Sequence, residues 1–169
     1  MQKYPVPKRI VRFKGIFDYD GLYKMMQEWM KGRHYEFHEK KYKEKPYWFA
    51  PETEVTWWAE KKLTNYIMLR IDIFIHLYDA EKIEVVKDGK KKQMMNTRMQ
   101  IDIWGSVKTD YSEEFEKSSF FKRIEKFLNE RILHKEILLK YLDAFDYELY
   151  DFETAIKKFL GMEARESAY

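Results

Sequence analysis

The chain has no cysteine. That absence excludes a disulfide framework, zinc ribbons, iron–sulfur clusters and thiol nucleophiles, and it suits a reducing compartment. Glycine and proline are scarce, at six and four of 169 residues. No low-complexity tract, repeat or Gly/Pro-rich linker divides the chain, so one domain over residues 1–161 with a flexible tail at 162–169 is expected. No stretch approaches the roughly 20 consecutive apolar residues of a membrane span. The N-terminal Met1-Gln-Lys-Tyr-Pro-Val-Pro also lacks the apolar centre of a secretory signal. These features predict a soluble, cytoplasmic protein with no membrane partner. Also missing are a Gly-rich phosphate loop, an HExxH-type metal motif and a nucleophile beside a base, so no reaction and no cofactor is implied.

What is present is ample core material in a polar chain, with 36% charged and 18% aromatic residues. The net charge of +3 is small for a dedicated nucleic-acid binder. Its distribution is more informative: residues 1–50 carry twelve Lys or Arg against six Asp or Glu, whereas Tyr141 to Glu153 holds five acids and no base. The molecule is expected to be electrically polarised, and the acidic segment reads as a helix junction with capping acids.

Two alternating runs dominate the pattern. Ile67, Leu69, Ile71, Ile73, Ile75 and Leu77 share one face of a strand spanning Tyr66 to Leu77, as do Met99, Ile101, Ile103 and Val107 in Arg98 to Thr109. That face must be core. The opposite face carries Tyr66, Arg70, Asp72, Phe74 and His76 in the first run, and Arg98, Asp102 and Trp104 in the second. It mixes charges with large aromatics, unlike an ordinary solvated sheet face.

Around these runs, Arg9 to Phe17 reads as a strand. Asp18 caps a helix with an apolar stripe of Leu22, Met25, Met26 and Trp29, and Gly32 stops it. Arg33 to Lys45 and Glu54 to Leu63 read as further strands, separated by the aromatic connector Tyr47-Trp48-Phe49. An odd-length loop centred near Asn65 keeps Val55, Trp57, Ala59 and Leu63 on the aliphatic face, and it pairs Glu60 with Arg70 and Trp58 with Asp72. Asp88-Gly89 marks a type I′ hairpin between Lys82–Lys87 and Lys90–Met95. Reconciling that turn with the aliphatic faces requires a bulge near Tyr78-Asp79-Ala80. Helical periodicity follows, from Ser118 or Ser119 through Phe120, Ile124, Phe127, Leu128 and Ile132, and again from Asp151 to Leu160.

The fold class is therefore α+β: about five antiparallel strands in the order β-α-β-β-β-β, packed on a long C-terminal helical region. In element order alone this resembles the helix-grip arrangement of many ligand-binding proteins, and no residue motif adds to that resemblance.

Candidate chemistry falls into three groups. His34, Glu36 and His38 share a strand face, but the two histidines stand about 13 Å apart, too far for one metal, and a solvated edge strand accounts for them. His76 with Asp72 or Asp102 offers a carboxylate–imidazole pair for acid–base work. Trp58, Tyr66, Arg70, Asp72, Phe74, His76, Arg98, Asp102 and Trp104 together form a polar–aromatic surface for a protein partner, self-association or a small ligand. The leading expectation is a non-enzymatic binding or adaptor module acting through that face. The alternative is an RNA- or ribosome-associated protein using Lys87, Lys90, Lys91 and Lys92 at the hairpin tip, with the basic residues Lys8, Arg9, Arg12 and Lys14 and the aromatics at 47–49 adding phosphate contacts and stacking.

Overall fold

Long alternating segments with β-branched and aromatic residues build most of the molecule. The computed structural model describes residues 2–45, 52–87, 89–109, 111 and 137–162. Within them, β1 (Gln2–Pro5) and β2 (Arg9–Phe17) precede α1 (Tyr19–Gly32), and β3 (Glu36–Lys45) and β4 (Glu52–Lys62) follow. The hairpin of β5 (Ile67–Lys87) and β6 (Lys90–Thr109) is next, and a π-helical segment, Ile137–Leu142, leads into α2 (Asp143–Phe159). All strands join one antiparallel sheet in the order β1-β6-β5-β4-β3, with β2 sharing the outer edge of β6.

The fold is thus α+β, with six strands where about five were expected. The additional strand is β1. It takes Ser106 to Thr109 of β6, while β2 takes Met95 to Ile103. Four residues containing a proline carry little strand signal of their own; β1 exists because β6 outruns β2 and leaves an unpaired edge.

The register follows from the side-chain period. Glu60 pairs with Arg70 and Trp58 with Asp72, and a bulge between Tyr78 and Glu81 brings Ile73 opposite Ile103. Asp79 relieves the bulge with a positive φ of 54°, and Gly89 turns the hairpin at φ 73°. The other turn residue, Asp88, lies outside the described residues, as do the connector at 47–49 and the helical run around residues 118–132.

Asp18 caps α1, accepting a hydrogen bond from Gly21 N at 3.0 Å. Leu22, Met26 and Met30 form the buried stripe, whereas Met25 and Trp29 are half-buried at its margin. The helix does end at Gly32, yet the left-handed residue that reverses the chain is His34, at φ 63°. His34 N and Tyr35 N then donate to Lys31 O and Met30 O. β3 therefore starts at Glu36, and His34 does not share a strand face with His38.

Both described helices pack on the aliphatic face. Phe145, Leu149, Phe152 and Ile156 of α2 are buried with Val11, Val55, Trp57, Ile71, Ile73 and Ile101 in one core, and Trp29 meets Phe152 at 4.5 Å between ring centres. The C-terminal acids sit inside one continuous helix from Asp143, correcting the expected junction. They also have work to do within the fold. Arg9 donates to Asp146 Oδ1 at 2.7 Å and to Glu153 Oε2 at 3.2 Å. Glu148 accepts from the Tyr35 hydroxyl at 3.1 Å and lies 3.5 Å from Lys61 Nζ. Part of the polarity read from the sequence is used inside the molecule: Arg9 of β2 and Lys61 of β4 hold Asp146, Glu148 and Glu153 of α2 to the sheet.

Candidate functional site

With α1 and α2 on the aliphatic side, no described helix covers the opposite face. Pairing across the strands arranges that face in rows. Trp104, Asp72, Trp58 and His38 are in register on β6, β5, β4 and β3; the next rows read Asp102, Phe74, Thr56 and Gln100, His76, Glu54.

Arg70 organises one end. Its Nε donates to both oxygens of Asp72 at 3.0 Å and its NH2 to Oδ1 at 2.7 Å, while NH1 reaches Glu60 Oε1 at 2.9 Å. Lys108 Nζ adds a 2.8 Å bond to the same Glu60 oxygen. The guanidinium lies 4.8 Å from the Trp58 ring centre, and His38 stacks on that indole at 4.1 Å. Bonding to Asp72 holds Arg70 further toward its charged form, against burial, with Glu60 adding to it. Burial pushes the Glu60 carboxyl up, but Lys108 and Arg70 together bring it below its ordinary value. These mutual pairings make the cluster a structural ion-pair network.

The centre of the face is held by Asp102, which is buried, pairs with Lys8 at 3.1 Å and accepts from Gln100 Nε2 at 3.0 Å. Lys8 also sits 4.7 Å from the Trp104 ring centre. Trp104 is 38% exposed, an unusual state for an indole on a strand. Beside it a half-open depression of about 310 Å³ is lined by Lys3, Pro5, Asp72, Trp104 and Ser106. The Ser106 hydroxyl is buried there without a hydrogen-bond partner.

Nearer the hairpin a larger groove of about 440 Å³ runs between Arg12, Phe13, Lys14, Tyr78, Arg98 and Gln100. Three of its walls are cationic. Arg12 donates to Gln100 at 3.0 Å, and Arg98 bonds Asp79 at 3.0 Å while lying 5.3 Å from the Tyr78 ring centre. Arg12 and Lys14 are expected from the sequence only as basic neighbours of the lysine finger; what joins them to Arg98 is alternation on β2, which turns both to the side facing Gln100 and Arg98.

The expected partnership of His76 with Asp72 or Asp102 is not formed. Asp72 is held by Arg70 and Asp102 by Lys8, and the carboxylates beside His76 are Glu52 and Glu54 of β4. Phe74 lies edge-on to His76 at 5.9 Å. Tyr66 precedes β5 and packs against the hydrophobic core, so it adds little to the open face. At the hairpin, Lys91 pairs with Glu84 at 3.2 Å and Lys92 with Asp18 at 2.7 Å. The side chains of Lys87 and Lys90 lie outside the description.

No helix among the described residues is long and apolar enough to cross a membrane. No protein-family model and no curated protein matches the chain. Among solved structures it is similar to an uncharacterized protein from Rhizobium leguminosarum at 8% identity, covering 96% of this chain and 100% of that one, with a TM-score of 0.20; at that score the likeness carries no argument.

Proposed function

We propose that this chain is a binding module whose working surface is the polar–aromatic sheet face, and that the groove between β2 and the β5–β6 hairpin seats a small anionic ligand. One observation carries the reading: Arg12, Lys14 and Arg98 converge on a groove of ligand size that also offers the Tyr78 ring. Guanidinium groups match carboxylate and phosphate oxygens with paired donors, and an aromatic wall suits the body of the same molecule. Asp79 is the acid that engages the groove's Arg98, and an entering anion competes with it.

The test is a titration of the protein with phosphate, benzoate and adenosine monophosphate, followed by backbone amide NMR. The reading expects shifts confined to β2 near residues 12–14 and β6 near residues 98–100, with affinity lost in R12A and R98A. Absence of shifts with all three anions, or shifts that survive both substitutions, overturns it.

Self-association is a second reading, favoured by Ile10 and Ile16, which are 40% and 54% exposed on the same side of β2. Light scattering separates the two: a dimer that returns to monomer in I10K/I16K supports an interface rather than a ligand groove.

A further inference from the structure

Beside that groove, and independent of it, β4 and β5 bring three metal-ligating side chains together. Glu54 is the cross-strand partner of His76, and Glu52 follows two residues away on the same face. One donor atom from each of Glu52, Glu54 and His76 lies within 4.8 Å of the other two. We propose that these residues form a binding site for a divalent transition-metal cation, with zinc as the reference ion.

The second observation is the state of the imidazole. His76 Nε2 is shielded from solvent and makes no hydrogen bond. It stands 3.5 Å from Glu52 Oε2, near enough for charge attraction if the ring is protonated, but longer than a hydrogen bond of good geometry. Donors sharing a tetrahedral ion through bonds of about 2.1 Å lie roughly 3.4 Å apart, so the spacing fits a bridging cation better than direct contact. The ring is also fixed in direction. It stacks on Tyr78 at 3.8 Å and meets Phe74 edge-on, both from the same strand. A ligand whose orientation is set by packing loses little freedom on binding.

One imidazole and two carboxylates suit zinc, cobalt, manganese or ferrous ion rather than the all-oxygen cages preferred by calcium. Three protein ligands leave a coordination position for water or an anion.

The experiment is calorimetric titration of untagged full-length protein with zinc chloride, with visible absorption of the cobalt form as a second readout. One equivalent should bind, and H76A and E54Q should each weaken it at least about tenfold, while H34A at the α1–β3 turn leaves it unchanged. If H76A fails to fold by circular dichroism, H76Q and E52Q carry the same comparison. Nitrogen NMR of the imidazole adds a direct test, since zinc must shift the His76 ring resonance first. No binding to the wild-type protein, binding untouched by H76Q and E54Q, or an unmoved His76 resonance overturns the proposal.

Discussion

Gly105 of β6 lies directly beneath Leu149 of α2: a Cβ built on Gly105 would stand 2.5 Å from Leu149 Cδ1, and 2.6 Å and 2.7 Å from Val6 Cγ2 and Phe145 Cε1. Three side chains from two elements meet there, all buried, so none can give way without disturbing another. G105A should destabilise the protein by about 1–3 kcal/mol through overpacking, and G105V by more. Urea denaturation reads both. A wild-type midpoint in G105A would mean that α2 does not sit on this strand as described.

Two neighbouring tryptophans test which face is covered. Trp57 is fully buried, with Tyr23 and Phe37 rings at 4.4 Å and 4.8 Å, whereas Trp58 points to the opposite face and is only half-buried. W57A should cost about 3–5 kcal/mol. W58A gives up the Arg70 and His38 contacts but opens no enclosed cavity, so it should cost well under half as much. Equal losses would show that the polar–aromatic face is buried as deeply as the core, and the binding role would fail with it.

Much of this arrangement was legible in the sequence, and the reasons are specific. Alternation in two long runs fixes which residues face the core, and an odd-length loop centred near Asn65 fixes their pairing, because an even-length loop would bury Glu60 and Lys62. The same pairing that sets Glu60 against Arg70 also sets Glu54 against His76, so two of the three residues of the candidate metal site were implied by register. Glu52 was missed because the strand was read from Glu54. β1 was hidden for a different reason: Lys3, Tyr4 and Pro5 have no periodicity of their own and are ordered by the free edge of β6. The left-handed His34 is a third case, since the glycine two residues earlier gives the stronger local signal for the helix stop.

Arg9 should matter out of proportion to one surface-type residue. Its guanidinium bonds Asp146 and Glu153 of α2 from β2, with only 16% of its side chain exposed and 12% of that of Glu153. R9M should cost about 1.5–3 kcal/mol, the range for lost charge-assisted bonds, with Lys157 remaining as a partner of Glu153. Changing Glu153 to Gln should cost less in that background than in the wild-type protein, since one of its two cationic partners is already gone. Thermal denaturation of the two variants decides the point, and additive losses would deny the coupling.

Acid should destabilise the protein through three carboxyls in particular. Burial pushes Glu153 up, yet Lys157 and Arg9 bring it below its ordinary value of 4.5, and Glu60 is lowered in the same way by Lys108 and Arg70. Asp18, also raised by burial, is brought below its ordinary 3.8 by Lys92 and the Gly21 N–H. A carboxyl whose pKa is lower folded than unfolded leaves the unfolded chain binding more protons over the interval between the two values. Its stabilisation is therefore complete above the unfolded value and is lost as pH falls through the folded one. Stability attributable to these groups should stay level down to about pH 5 and decline from there toward pH 2. E60Q and E153Q should each flatten that decline, because an amide has no proton to take up, while lowering stability near neutrality. Denaturation midpoints from pH 7 to pH 2 test this directly: a decline of equal steepness in both variants and wild type would remove Glu60 and Glu153 from the acid response.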